Sequence, residues 1–354
     1  MKRVSMRELA ESLGVDRATI SRALSRDKAH LVATATRERV REQAGRLGYR
    51  PDLMAATLRR GRSYTVGILV SDLMNEVMVR VVRGIVAVLN DGAAPDAPLT
   101  PLIAETGEKP EVVRHLMRTF LSRRVDAIIS LTSTEDDAEA LLEAAAEVPV
   151  ILAVRSIAGV QLPSATCDDE VGGAMVARHL QAQGHTAVCQ IQGPRTAATF
   201  RSRSAGFSRV CVESGLTEAP LDIVATAAVS LMGKIATDAI LASPVRPTAV
   251  FAHNDGLAIG VIEAMRQHGL AYPADIGLVG FNNTELSRVL AHPLTTVEYP
   301  VAAVSRHAAH LVDALVADPS YAWESFAFAP ELIDRGSVGR IVRPVTARRR
   351  RPAS

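Results

Sequence analysis

Four side chains able to donate hydrogen bonds crowd the stretch LGVDRATISRAL, Leu13 to Leu24: Arg17, Thr19, Ser21 and Arg22. Guanidiniums offer planar forks of donors and hydroxyls both donate and accept, so together they suit a surface rich in acceptors and negative charge. A solvated helix face has the same composition, so the stretch alone does not decide.

Charge along the 354 residues does. Residues 1–62 hold 15 Lys/Arg against 7 Asp/Glu, residues 63–334 hold 18 against 31, and residues 335–354 hold 7 Arg and no acid. The net charge of +2 therefore hides balances of +8, −13 and +7. Positive charge gathered at one end of a chain marks a module for a polyanion, with DNA or RNA as the leading partner.

The elements that position those side chains are legible. In SMRE, Ser5 and Glu8 have capping-box spacing, and Leu9, Ala10 and Leu13 follow on one face, which predicts a helix over about 6–13. Gly14 and Val15 make a turn, Asp16 caps a second helix, and Ile20 with Leu24 forms its apolar face. Two short helices joined at a glycine read as a helix-turn-helix. A third helix follows in TRERVREQAGRLGYRP, with Val40, Ala44 and Leu47 inward, Gly48 ending it and Pro51 forbidding its continuation. In such a motif the first turn of the second helix enters the major groove. Arg17 can then reach guanine O6 and N7, Ala18 can only meet a thymine methyl or keep clear, and Thr19, Ser21 and Arg22 suit phosphates or a base edge.

At 48% hydrophobic and 22% charged residues, the chain is ordinary globular material, long enough for several cores. Neither a membrane span nor a signal peptide is legible, so a cytoplasmic protein is expected. Cys167, Cys189 and Cys211 lack the spacing of a disulfide framework or zinc site, and the nine His are scattered; no metal and no cofactor are expected. P-loop, GxSxG and HExxH patterns are missing, and VGILVSDLMNE has no glycine fingerprint after its strand, which argues against an enzyme such as a dehydrogenase. From Tyr64 onward, apolar runs (YTVGILVS, DAIISLTS, VPVILAV, TAVCQIQG, PTAVFAHND, DIGLVGFNN) alternate with helical stretches. This predicts α/β architecture, with parallel sheets covered on both faces and ligands at the strands' carboxyl ends. VGG at 171–173 reads as a close helix approach rather than a nucleotide loop.

The blocks MRELAESLGVDRATISRAL and TRERVREQAGRLGYRPDLMAATLRRGRSYTVGILVSDLMN, in that order, resemble the lactose-repressor (LacI/GalR) family of bacterial transcription regulators, and the likeness continues to about residue 340. It implies an all-α helix-turn-helix head over 1–49, a hinge over 50–62, and an effector-binding and dimerisation domain over 63–345. That domain would comprise two doubly wound, parallel-sheet lobes of periplasmic-binding-protein type, 63–161 with 296–325 and 162–295 with 326–345. The chain would cross between them near Leu162, Thr296 and Phe326. Residues 346–354 would be a basic, disordered tail. The connection SRDKAHLVATATRERV is about two residues longer than the family's usual one and lacks its Ser-Glu-Glu start, so Thr34 is expected to cap the third helix.

The resemblance also implies a homodimer on double-stranded operator DNA, near the nucleoid, controlled by a small-molecule effector. Ser5, Ala55 and Arg59 fall at its DNA-contacting positions, and Leu58 matches the hinge leucine that wedges into the minor groove. Among effector contacts, Arg203 in RSAGF and Asn254 in HND match, with Asp255 expected to cap the following helix. Asp72, Leu73 and Asn75 in SDLMN match too. Ser71, Met78, Arg155, Thr199, Asn282 and Tyr299 occupy the remaining matched positions. Departures are the paired aromatics, here Val77 and Met78, and two carboxylates, here Val154 and Asn282. An Arg203 without acidic neighbours would favour an anionic effector, with a reshaped neutral-ligand pocket as the alternative. A solute-binding receptor with an incidental N-terminus is the rival reading.

Overall fold

The computed structural model describes residues 4–24, 29–49, 62–92, 99–219, 223–244 and 246–340. The head consists of α1 (Met6–Leu13), α2 (Arg17–Ala23) and α3 (Thr34–Arg46). Their apolar faces meet in a small core of Leu9, Ala10, Ile20, Ala23, Val40, Ala44 and Tyr49. Thr34 does not cap α3: it is the first helical residue, and Ala33 stands at the cap without a side-chain bond.

Two six-stranded sheets follow. The first runs β11-β5-β4-β3-β1-β2 and is wholly parallel. It contains β1 (Thr65–Val70), β2 (Thr100–Glu105), β3 (Ala127–Ser130), β4 (Val150–Val154), β5 (Ser164–Cys167) and β11 (Phe326–Phe328). The second runs β12-β10-β9-β8-β6-β7. Its members are β6 (Ala187–Ile191), β7 (Thr217–Glu218), β8 (Ala249–Ala252), β9 (Gly277–Phe281), β10 (Thr295–Glu298) and β12 (Glu331–Ile333). Only β12 departs from the parallel expectation, pairing antiparallel to β10. Central strands are apolar on both faces because helices cover both: β3, β4, β8 and β9 are buried at every residue.

Sheet membership moves the expected lobe crossings. Ser164–Cys167 pairs with β4, Thr295–Glu298 with β9, and Phe326–Phe328 with β5. The strands that end at Cys167, Glu298 and Phe328 each precede a change of lobe, two to five residues beyond Leu162, Thr296 and Phe326. These short strands are poor in long apolar runs, which displaced the expected boundaries.

The helices used below are α4 (Glu76–Gly92), α7 (Asp169–Ala182), α8 (Ala198–Ser214), α10 (Asp255–Gln267), α11 (Glu285–Val289) and α12 (Val301–Ala317). α7 and α8 touch backbone to backbone. A Cβ on Gly173 would lie 2.0 Å from the Arg203 carbonyl oxygen, and one on Gly206 would lie 1.9 Å from that of Glu170. VGG thus serves helix contact. Among the described residues no helix is long and apolar enough to cross a membrane, and Cys167, Cys189 and Cys211 are free and buried.

Candidate functional site

Local capping builds the head's surface. The Ser5 hydroxyl accepts the Glu8 N–H at 3.2 Å and donates to the Glu8 carboxylate at 2.9 Å, which returns to accept the Ser5 N–H at 2.7 Å. Gly14 then turns the chain at φ 65, a left-handed conformation that glycine adopts freely. Asp16 Oδ1 accepts the Thr19 N–H at 2.6 Å, and Asp16 Oδ2 accepts the Thr19 hydroxyl at 2.8 Å. These bonds hold the Asp16 carboxyl below its ordinary value. With Ile20 and Ala23 buried, Arg17, Ala18 and Arg22 are left exposed and Thr19 and Ser21 half-buried. Ser5 is exposed, with its hydroxyl engaged in the cap. The hinge positions Ala55, Leu58 and Arg59 lie outside the described residues, as does the tail.

The carboxyl ends of both parallel sheets carry the expected effector residues, and most are already bonded. The Ser71 carbonyl accepts the Gly107 N–H at 3.0 Å. Asp72 accepts the Met74 N–H at 2.7 Å and Asn75 that of Val77 at 3.1 Å, so both shape the entry to α4. Met78 and Val77 are buried in the apolar core, where the resemblance had implied ligand-facing aromatics. Arg155 is 5% exposed, donating to Glu108 at 2.6 Å and to the Thr132 carbonyl at 3.4 Å. Thr199 is buried in the first turn of α8 and Tyr299 is buried at the second crossing, where desolvation pushes its phenol well above the ordinary value.

Arg203 corrects the expectation of a guanidinium without acidic neighbours. Its Nε donates to Asp169 at 2.8 Å, with both side chains 5% exposed. Nη1 donates to the His253 carbonyl, and the guanidinium lies 3.6 Å from the centre of the Phe281 ring. Burial pushes the Asp169 carboxyl up while Arg203 pulls it down. Asp168, the residue before it, caps α7 by accepting the Val171 N–H at 3.0 Å. The ground for an anionic effector falls with this pair, because the charge of Arg203 is balanced from within.

Asn254 takes the capping role expected of Asp255, and Asp255 ties the C-terminal lobe together instead. Asn254 caps α10, accepting the Leu257 N–H at 2.7 Å, and donates to the Ala228 carbonyl at 2.9 Å. Asp255, fully buried, ties the loop after β9 to β10 by accepting from Thr284 at 2.7 and 2.9 Å and from Thr296 at 2.7 Å. Burial lifts its carboxyl to about 6. Val154 at φ 68 and Asn282 at φ 110 hold left-handed backbone at strand ends in the two lobes; a β-branched residue there is strained. Sequence reasoning missed Arg80, whose Nη1 crosses between lobes to the Asn282 carbonyl at 3.3 Å. It also missed Arg201, which reaches Glu135 at 2.8 Å. Nothing in their local spacing signals a partner in the other lobe. Among the described residues no cluster of His, Cys, Asp or Glu could hold a metal.

A family model for the periplasmic binding protein-like domain matches residues 177–338. The HTH-type transcriptional repressor PurR of Aliivibrio fischeri is 28% identical over 337 residues, covering 94% of this chain and 98% of that protein. The PurR repressor of Vibrio cholerae is 27% identical over 335 residues, with the same coverage of each. Among solved structures, the lac repressor dimer bound to operator and the anti-inducer ONPF superposes with a TM-score of 0.82 at 23% identity, covering 96% of this chain and 100% of that one. A LacI-family transcriptional regulator from Silicibacter pomeroyi gives 0.81 at 26% identity, covering 95% and 100%. Over nearly its full length this chain is similar to transcriptional repressors, and it shares with the lac repressor a helical head and two α/β lobes.

Proposed function

We propose that the protein is a homodimeric, sequence-specific repressor whose hold on operator DNA is set by a small molecule bound between the lobes. The observation that carries this is the start of α2. Asp16 and Ile20 build the helix, and Arg17 and Ala18 beside them are exposed without a part in the fold, on a head with a balance of +8 over residues 1–62. Arg17 reads guanine, Ala18 the neighbouring thymine methyl, and Thr19, Ser21 and Arg22 hold phosphates or base edges. Ser5 contacts the DNA backbone, and in the hinge Leu58 is the minor-groove wedge, with Arg59 on a nearby phosphate and Ala55 a further DNA contact. The PurR proteins it is similar to are transcriptional repressors, and a DNA target implies a cytoplasmic protein on the nucleoid.

The second copy is proposed to cover a groove of about 610 Å³ between α4 and α11, whose lining includes Leu73, Met74 and Val289. Their exposures of 47%, 90% and 70% are large for apolar side chains. Glu76, Arg80, Glu285 and Arg288 also line it, mixing charges that a two-fold partner can match. Selection from random duplex pools is expected to return a roughly palindromic motif, with affinity falling steeply as salt rises. Pools without a shared motif would overturn the reading.

A further inference from the structure

α4 turns an acid and a base, one helical turn apart, toward the other lobe. Glu76 Oε1 accepts the Glu285 N–H at 3.1 Å. Arg80 Nη1 donates to the carbonyls of Asn282 and Asn283, each at 3.3 Å, while Nη2 lies 3.5 Å from Glu298 Oε1. The acid takes a backbone donor and the base takes two backbone acceptors of one loop. Each group therefore meets the backbone pole it complements.

That loop is strained. Asn282 and Asn283 are consecutive residues at φ 110 and 48, and such backbone persists only where its surroundings over-determine it. Its own lobe supplies part of the restraint. Asn283 donates to Glu298 at 2.7 Å and accepts from Arg335 at 2.6 Å, and Asp255 holds Thr284. The Asn282 carbonyl is held from the opposite lobe, by Arg80. The Arg201–Glu135 pair that also links the lobes differs in kind: its side chains are 40% and 67% exposed, against 28% and 35% for Arg80 and Glu298. Solvent screens an exposed ion pair almost to nothing.

We propose that Glu76 and Arg80 form an interlobe clasp on the loop from β9 to α11, and that Arg80 is a positioning residue for the cleft. It fixes Asn282 from across the lobe boundary and favours the lobe arrangement in which these bonds form. This rests on reading the cleft as the effector site. Control by a small molecule then consists of reinforcing or opposing a clasp the chain already makes, and only a ligand with different affinity for clasped and unclasped lobes shifts operator binding.

Hydrogen exchange resolved to single amides, on the free full-length chain, tests it. Glu76→Gln should speed exchange at the Glu285 amide by about tenfold, and Arg80→Gln should speed it across 282–285 while small-angle scattering reports a larger radius of gyration. A loop effect is separated from general loosening by Asn282→Gly, since glycine adopts the left-handed conformation without strain. In that background Arg80→Gln should add a smaller increment of exchange at 283–285. Unchanged exchange in both single variants would overturn the clasp, and equal increments with and without Asn282→Gly would overturn the positioning role. Neither measurement uses operator or effector, so failure of the wild-type chain to select an operator would sink the proposed function and leave this result standing on its own.

Discussion

Arg17 and Arg203 are guanidiniums that the sequence singles out for the same reason, recognition of a partner, yet the fold treats them oppositely. Arg17 is exposed on the first turn of a helix that Asp16 and Ile20 already secure. Arg203 is 4% exposed and bonded to Asp169 and the His253 carbonyl beneath the Phe281 ring. In the head, Arg17, Ala18 and Arg22 are exposed outside its core and its caps, so binding through them and stability can vary separately, whereas Ser5 and Thr19 also serve the caps. In the cleft, the matched residues are also members of the packing, and a substitution disturbs both at once.

Arg203→Ala should break the comparison most visibly. It strands a buried carboxyl at Asp169, and losing one partner of a buried pair costs about 3–5 kcal/mol. Proton uptake by Asp169, whose carboxyl burial already raises, moves the loss toward the lower end. Urea unfolding of the variant should show it, and a change below about 1 kcal/mol would mean that the pair is dispensable to the fold.

Asp255 gives the next effect, again confined to the lobes. A carboxyl raised from 3.8 to about 6 in the fold holds its proton longer there than in the unfolded chain. Lobe stability should therefore fall as pH rises from about 4 to about 6 and level off above. Asp255→Asn should flatten that slope, and a slope identical to the wild type's would assign it to other groups.

Arg17→Ala sharpens the comparison from the other side. It should lower operator affinity by about 1–3 kcal/mol through particular base pairs, leaving nonspecific DNA binding and the unfolding of the chain nearly unchanged. A uniform loss across all sequences would reassign Arg17 to phosphate. Ser5→Ala should have the smallest effect, about 1 kcal/mol of head stability from the lost cap. Operator affinity should decline only as far as thermal melting of the head does; a larger decline would show that Ser5 also meets the DNA backbone.

The head was legible almost in full because its signals are local. The box of Ser5 and Glu8, the turn at Gly14 and the cap at Asp16 each need residues no more than four apart, and all appear where spacing put them. Thr34 failed as a cap for a local reason as well, since Ala33 took the position. The central strands were legible from apolar runs. β5, β10 and β12 were not, because their stability comes from partners far along the chain: Thr295 and Thr296 are fully buried yet bonded to Asp334 and Asp255. A buried polar strand looks like a loop to any reading of hydropathy.

The sequence by itself determined the class of the fold: a basic helix-turn-helix head whose second helix leaves Arg17 and Ala18 exposed, and a long α/β domain of parallel sheets. Only the tertiary structure decided which polar groups of the cleft remain free. Pairing of Arg203 with Asp169 spans 34 residues, and the grip of Arg80 on Asn282 spans 202. A charge acquires its neighbours from the path of the backbone, and burial then makes those neighbours govern it. Local spacing carries no record of either.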